Sequence, residues 1–354
     1  MRCGKLLNAI AAMMLAWLAL PVNASSFVDP LDAPAVMSAK AKSSRLLAVT
    51  RAGGRLVTVG RLGHILVSED GGKSWQQVPV PVRSDLVAVR FVTPEKGWAV
   101  GHDAVVLHSA DGGRSWVKQL DGIQIAKIML AAAEKRAAAG DPEASRLLAE
   151  GKSFVEDGAD KPLFDVLFRN ENEGYVVGAF NLALRTRDGG KSWETMSERI
   201  DNPQAMHLYS LEVSHEELYL AGEQGHLWRW DGKTERFVAL QSPYKGSFFG
   251  ALAKDTALIV FGMQGNAFRS ADGGKTWKQL PTGTKGGITA GTVLADGRLA
   301  LVTQNGELIV SADAGDTFAP IKINRTTPYF GIAPGGPDTV ALVGLSGVRM
   351  ESVK

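Results

Sequence analysis

Six aspartates recur along the 354-residue chain, each in a short glycine-containing box. Carboxylates in such loops could ligate a metal ion or act as catalytic acids. Counting between the aspartates gives steps of 41, 77, 43, 41 and 41 residues. A fixed period near 41 indicates a repeat architecture, in which the copies are spread over the molecule and do not converge on one site. The spacing therefore favours a structural role for Asp70, Asp111, Asp188, Asp231, Asp272 and Asp313.

The full box has the pattern Ser/Thr-x-Asp-Gly-Gly-x-Ser/Thr-Trp, as in Ser270 to Trp277. Its aspartate can accept hydrogen bonds from its own loop, and the glycines supply positive φ at low steric cost. The final Trp can pack between neighbouring sheets. The copy at Asp231 has one glycine, and the copy at Asp313 ends in Phe318. The four box tryptophans are Trp75, Trp116, Trp193 and Trp277.

Four short strands per unit must position each box. In the second unit we predict strands at 86–91, 98–100, 105–108 and 117–120, with the box between the third and the fourth. Similar strands recur in seven units between residues 45 and 354. The sequence therefore predicts an all-β fold, a seven-bladed β-propeller, because radial repetition of such units removes free sheet edges.

The seventh unit ends soon after its third strand. An N-terminal arm at 25–44 could supply the missing fourth strand and so close the ring. Alternatively, the arm is disordered and the last blade has three strands.

The step of 77 residues contains an insertion at 121–161, between blades 2 and 3. Helix formers run to Gly140, and Asp141-Pro142-Glu143 restarts a helix with a cap and a first-turn proline. We expect a helical hairpin. It is either an ornament on the rim of the ring or an element that docks a partner, since long insertions between repeats tend to map to the binding face.

Residues 1–24 are typical of a signal peptide, with Arg2 and Lys5 before an apolar run and Val22-Asn23-Ala24 before the cleavage point. A transmembrane anchor is the alternative, but the run is shorter than the roughly 20 residues that a span needs. Cleavage removes the only cysteine, Cys3, and lowers the formal charge from +2 to zero. We therefore expect a soluble, monomeric periplasmic protein that binds no nucleic acid and no thiol-ligated metal.

The box resembles the Asp-box, or BNR, repeat. The surrounding unit, with Val89-Arg-Phe91, Gly97-Trp-Ala-Val-Gly101 and Leu107 to Trp116, is similar to the photosystem II stability/assembly factor family. That resemblance implies a seven-bladed propeller in the thylakoid lumen or periplasm. It also implies a non-enzymatic assembly factor or scaffold for a membrane protein complex. For relatives with a helical insertion in non-photosynthetic bacteria, it implies a role beside exporter-type membrane proteins.

Two other functions stay open, a sialidase-like or other glycoside hydrolase and a carbohydrate- or peptide-binding module. A sialidase needs an arginine cluster and a Tyr–Glu pair, but the chain contains no Arg-Ile-Pro motif. Two facing carboxylates could hydrolyse a glycoside, and nothing in the sequence singles out such a pair. The pool comprises Asp85, Asp103, Asp165, Asp201 and Glu223. The six histidines lack metal-ligand spacing, so we expect no metal and no cofactor.

A partner would meet the face across from the boxes, which is made by loops between blades and by turns between second and third strands. These segments carry a basic series that could form a positive rim for an acidic loop or tail of a membrane protein. The alternative is ordinary solvated surface charge. The candidate partner-binding residues are Arg83, Arg199, Lys245, Lys285 and Arg325, with Arg61, His64, His102, His226 and Lys322 nearby.

Overall fold

The computed structural model describes residues 28–354, and the predicted signal peptide at 1–24 lies outside this range. Seven antiparallel sheets follow one another along the described chain, which confirms the predicted seven-bladed propeller. Blades 1 to 3 each have four strands. They are β1 (Leu46–Ala52), β2 (Arg55–Gly60), β3 (Ile65–Ser68) and β4 (Gln76–Gln77); β5 (Leu86–Phe91), β6 (Gly97–Gly101), β7 (Val106–Ser109) and β8 (Val117–Leu120); and β9 (Leu163–Phe168), β10 (Gly174–Gly178), β11 (Ala183–Thr186) and β12 (Glu194–Thr195).

Blades 4 to 6 repeat the same order, and blade 7 has three strands among the described residues. The strands are β13 (Leu208–Ser214), β14 (Glu217–Gly222), β15 (Leu227–Asp231) and β16 (Arg236–Ala239); β17 (Phe248–Lys254), β18 (Ala257–Gly262), β19 (Ala267–Ser270) and β20 (Lys278–Gln279); β21 (Ile288–Val293), β22 (Leu299–Thr303), β23 (Leu308–Ser311) and β24 (Ala319–Ile321); and β25 (Tyr329–Gly336), β26 (Thr339–Gly344) and β27 (Gly347–Ser352).

Each blade is buried on both faces because it lies between two others. The second strands show this most clearly, since every residue of β6, β10 and β22 is buried. Such strands are apolar without alternation, as strands covered on both faces are. The first strands of neighbouring blades contact one another around the ring, from β1 through to β25 and back to β1. They therefore form the wall of the central channel.

Every first strand begins with a bulge that leaves its second residue out of the ladder. In β5 the register shifts between Leu86 and Ala88, and in β13 between Leu208 and Ser210. An extra residue of this kind is unpaired and is re-aimed by the bend that it causes. Seven half-buried side chains are set this way at the channel mouth, namely Leu47, Val87, Phe164, Tyr209, Phe249, Thr289 and Phe330.

The described part of the N-terminal arm, residues 28–44, forms no strand and does not complete blade 7. It runs along blade 1, where the Ala35 N–H donates to Val80 O (3.0 Å) and the Arg83 N–H to Pro30 O (2.8 Å). Two prolines in the arm lack the N–H donors that a ladder needs. The short turn at Ala41–Ser43 packs instead beside Val348 of β27. The arm thus joins blades 1 and 7 by packing.

The insertion is a helical hairpin, as predicted. Helix α1 (Gly122–Ala138) begins with a capping box in which Asp121 and Gln124 each accept a hydrogen bond from the other's N–H. Helix α2 (Ala144–Asp157) begins after Glu143, whose N–H donates to the Asp141 carboxylate. Within residues 28–354 we find no helix long and apolar enough to span a bilayer.

Candidate functional site

The box aspartates are bonded to their own loops. In blade 5, Asp272 accepts hydrogen bonds from the Thr276 hydroxyl (2.6 Å), the Thr276 N–H (2.9 Å) and the Ser270 hydroxyl (2.9 Å). These hydrogen bonds lower the pKa of Asp272 to about 2. Asp70, Asp111, Asp188 and Asp313 have the same three contacts. Such carboxylates have few acceptor sites left for a metal or a substrate.

The box tryptophans lie between blades. The Trp116 Nε1–H donates to Gly113 O (2.9 Å), and its ring meets the Phe91 ring edge-on in a cluster shared with blade 1. Trp193 occupies the equivalent place between blades 2 and 3, against Phe168. Each of these boxes is therefore both a hairpin clasp and a wedge at a blade interface.

The two weaker boxes keep part of this geometry. Asp231 accepts hydrogen bonds from the Lys233 N–H (3.0 Å) and the Thr234 hydroxyl (2.8 Å). In blade 6, Phe318 packs against the interface cluster that contains Leu280.

The strand order separates the loops into two faces. All described boxes join third to fourth strands, so they share one face with the turns between first and second strands. The other face, called here the link face, consists of the second-to-third-strand turns and the links between blades. The helical hairpin is itself such a link, between β8 and β9.

The predicted basic series lies in the links between blades and divides into two groups. Arg83 lies under the arm, with Nε and Nη2 each 3.4 Å from Pro34 O. Arg199 makes an ion pair with Glu235 (2.8 Å). Lys245, Lys285 and Arg325 are exposed and make no ion pair within residues 28–354. These three cations remain available to a partner.

The neighbouring basic candidates also differ in exposure. His64 is buried and bonds to the Ser44 hydroxyl (3.0 Å), and burial lowers its pKa. The ring of His226 stacks on Trp228 at 5.4 Å. Arg61, His102 and Lys322 are exposed.

An aromatic arc, which sequence reasoning missed, crosses blades 3 to 5 at the mouth of the channel on the link face. Phe164, Tyr209 and Phe249 are bulge residues of successive first strands, with ring centroids 5.4 and 6.0 Å apart. His207 and Phe180 extend the arc, and the Phe180 N–H donates to His207 Nδ1 (3.1 Å). The signal was present as an aromatic residue one place after the start of three first strands.

The opposite end of the channel holds an ionic cluster from three first strands. Arg90 of β5 contacts Asp165 of β9 (2.8 Å) and Glu212 of β13 (3.5 Å) beside a cavity of about 490 Å³. Burial raises the pKa of Glu212, opposed by the Arg90 guanidinium. Asp165 also accepts the Leu211 and Val166 N–H groups. It is therefore engaged in holding adjacent blades together.

Two Tyr–Glu pairs of the kind that a sialidase uses occur on blades 3 and 4. Tyr175 donates to Glu173 (2.6 Å), and Tyr219 donates to Glu217 (2.9 Å). Both rings are buried, and burial raises the pKa of each phenol to about 12. A buried phenol that titrates so high is a poor nucleophile at neutral pH.

The other carboxylates of the predicted pool lie near blade 2 and blade 4 on the link face, and each is engaged with its own surroundings or exposed. Asp85 accepts a hydrogen bond from the Leu62 N–H (2.7 Å), and Asp103 accepts one from the Ser84 hydroxyl (2.5 Å). Glu223 accepts a hydrogen bond from the His207 N–H (3.1 Å). Asp201 is exposed. The described residues contain no group of three His, Cys, Asp or Glu side chains arranged for a metal ion.

A groove of about 670 Å³ separates the hairpin from blade 3 and its following link. Apolar side chains such as Met129, Leu147 and Phe154 line one wall, and Phe180 and Ile200 line the other. Arg136 enters the groove and binds Asp141 (2.6 Å).

Comparison with known proteins supports the resemblance noted in the sequence. The model of the family described as photosynthesis system II assembly factor YCF48 matches residues 67–134 and 149–328. The chain is 28% identical to the photosystem II assembly protein Ycf48 of Synechococcus sp. (strain JA-2-3B'a(2-13)), over 58% of this chain and 78% of that protein. It is 29% identical to a photosystem II assembly lipoprotein Ycf48 of Prochlorococcus marinus, over 44% of this chain and 47% of that protein.

A solved structure described as YCF48 bound to D1 peptide has the same fold. It superposes with a TM-score of 0.64 at 16% identity, over 88% of this chain and 94% of that chain. At this identity the likeness concerns the fold alone.

Proposed function

Because the chain belongs to the photosystem II assembly factor family, we propose that it is a non-enzymatic interaction protein that assists the assembly or stability of a membrane protein complex. It acts outside the cytoplasm, in the periplasm or an equivalent compartment. Two relatives are named assembly proteins, and one solved structure of the same fold is described as bound to a peptide.

The observation that carries the proposal is the exposure of Lys245, Lys285 and Arg325 on successive links of one face. Their charges are uncompensated by ion pairs among residues 28–354, whereas Arg83 and Arg199 are engaged within the protein. Free cations near a channel mouth attract an acidic loop or tail and speed its capture. The partner segment is therefore acidic and belongs to the extracytoplasmic side of a membrane protein.

The identity of the complex depends on the host. The relatives carry the name of photosystem II. In a host without photosynthesis, an exporter-type membrane protein would be the client, and the hairpin at 121–161 is the element that distinguishes such a chain.

The test is affinity purification of the tagged chain from detergent-solubilised membranes, followed by mass spectrometry. The variant K245E/K285E/R325E should lose most of the captured membrane protein. A matched control reverses three exposed box-face lysines, K191E/K233E/K275E, and should capture as the wild type does. If K245E/K285E/R325E captured as much membrane protein as K191E/K233E/K275E, the basic links would be rejected as the binding surface.

A peptide- or carbohydrate-binding module is the second candidate, favoured by the aromatic arc. Half-exposed rings can stack on proline side chains or sugar rings. A glycan array and a fluorogenic glycoside screen separate the possibilities: binding without turnover supports a module, and turnover supports a hydrolase.

A further inference from the structure

Large apolar side chains that protrude from loops of the ring gather on the link face. Four of them occupy the second-to-third-strand turns of blades 1, 3, 5 and 7, namely Leu62, Phe180, Met263 and Leu345, each at least 40% exposed. Among the described residues, no box loop and no first-to-second-strand turn carries an exposed large apolar side chain. The box face contains as many turns as the link face, so the number of turns does not explain why the exposed apolar side chains lie on the link face.

These four residues, called here the apolar tips, are distributed around the ring. Each apolar tip lies in the turn that follows the glycine at the end of a second strand. These turns belong to alternate blades, namely blades 1, 3, 5 and 7. Equivalent turns of a propeller end at a common level, so the tips lie around a ring, and Phe180 also lines the groove beside the hairpin. A broad surface therefore meets tips on different blades more readily than a single short peptide does.

Two of the tips have an unfavourable backbone conformation. Leu62 and Phe180 have φ values of 59° and 53°, in the left-handed region. Gly or Asn adopts this region more readily than a bulky apolar residue does. Local folding therefore does not explain the choice of Leu62, whereas a role in contact with a ligand does. Phe180 packs edge-on against His207 and is exposed on its other side.

Exposed cations flank the tips of blades 1, 5 and 7, whereas Phe180 lies near Glu198 and Asp201. Arg61 adjoins Leu62 in the same turn, and Lys42 lies in the arm turn that packs on blade 7. Asp85, Asp103 and Glu223 on this face accept hydrogen bonds from neighbouring turns, and Glu198 and Asp201 lie beside the hairpin groove. Outside the helical hairpin, the exposed cations of this face that make no ion pair within residues 28–354 are Lys40, Lys42, Arg45, Arg61, Lys245, Lys285, Lys322 and Arg325.

We propose that the link face docks on an anionic lipid bilayer, with the apolar tips entering the interface and the surrounding cations contacting phosphate headgroups. Apolar side chains beside lysines and arginines bind such surfaces through buried apolar area and electrostatic attraction together. This docking needs no protein partner. It would hold the channel mouth and its aromatic arc at the height of membrane-proximal loops.

The test is sedimentation of the purified secreted chain with vesicles of equimolar phosphatidylglycerol and phosphatidylcholine, compared with phosphatidylcholine alone. The wild type should bind the anionic vesicles, and added salt should weaken binding. The variant L62N/F180N/M263Q/L345N should lose affinity about tenfold or more, because both the apolar area and the insertion are removed. Asn suits the left-handed positions, so the variant should remain folded.

The matched control, V117T/V238T, changes exposed valines on outer strands, which point away from both faces. It should bind vesicles as the wild type does. Failure of the wild type to sediment with anionic vesicles would overturn the proposal, as would equal binding by the tip variant and the control. A tip variant that keeps vesicle binding and loses the captured membrane protein would assign the tips to a protein contact instead.

A separate experiment tests whether the partner segment is acidic. Capture of a soluble polyglutamate peptide without vesicles should be lost in K245E/K285E/R325E and kept in the tip variant. Vesicle binding by the wild type with no peptide capture would reject the acidic partner and retain the bilayer.

Discussion

The two faces of the ring use polar and aromatic residues for different purposes. On the box face, Asp272 and its counterparts bond to their own loops, and Trp116 and Trp193 fill blade interfaces. On the link face, Lys245, Lys285 and Arg325 are free of ion pairs among the described residues, and the aromatic arc is half-exposed. The repeated residues are committed to the fold, and the residues that differ from blade to blade are available to a ligand.

The largest effect on stability should come from a box tryptophan. Trp116→Ala leaves a cavity between blades 1 and 2, and the free energy of unfolding should fall by about 3 to 5 kcal/mol. Urea unfolding followed by circular dichroism measures the change. The neighbouring exposed residue provides the control, V117T, which should leave stability nearly unchanged. Similar stabilities for W116A and V117T would mean that the wedge does not hold the interface.

The next effect concerns the ionic cluster that joins blades 2 to 4. Asp165→Asn leaves Arg90 without its closest anion, and stability should fall by about 2 kcal/mol, less than for a fully buried pair because Arg90 is one-third exposed. Glu69, which is more than half exposed and pairs with Arg55 and Arg114, offers the comparison, since E69Q should cost little. If E69Q were as destabilising as D165N, the cluster would have no special role.

The pH dependence of stability should also differ between the faces. Asp188, Asp272 and Asp313 have pKa values lowered to about 2 from the ordinary 3.8. A carboxyl group whose pKa is lower in the folded than in the unfolded protein stabilises the fold at pH values above its unfolded pKa. This stabilisation is lost as the pH falls through the folded pKa. Thermal unfolding temperature should therefore drop between about pH 4 and pH 2. D272N should flatten that dependence, and an unchanged slope would contradict the hydrogen-bond account.

The smallest effect on stability should come from the link face. K245E/K285E/R325E changes exposed side chains without ion pairs in the described range, so its unfolding temperature should match that of the wild type. R199E is the informative companion, because Arg199 is bound to Glu235 and its reversal should lower the unfolding temperature slightly. Unfolding of the triple variant at a clearly lower temperature would show that these cations are structural.

Much of the fold can be predicted because the repeats carry local signals. The box residues bond within one loop, so their spacing alone indicates the clasp. The hairpin is likewise predictable from its helix formers, although α2 begins at Ala144, after Glu143, so Pro142 precedes the helix and does not lie in its first turn. The cations are harder to assign, since Arg83 meets Pro34 and Arg199 meets Glu235, residues far away in the chain. Only the folded ring reveals which charges remain free.

The arm and the aromatic arc illustrate the same limit. Pairing of the arm with blade 7 is one of two sequence predictions, but its side chains Leu31 and Ala35 are buried against blade 1. The arc depends on bulges at the starts of β9, β13 and β17, and only the folded ring places the three bulge aromatics side by side. Contacts between residues of different blades cannot be predicted when each repeat is considered alone.

Membrane-partner capture with the two matched reversals separates the roles of the faces, binding on the link face and closure of the ring on the box face. We expect K245E/K285E/R325E to lose the captured protein at an unchanged unfolding temperature, while K191E/K233E/K275E retains it. Loss of capture in the box-face variant, with capture intact in the link-face variant, would contradict these roles.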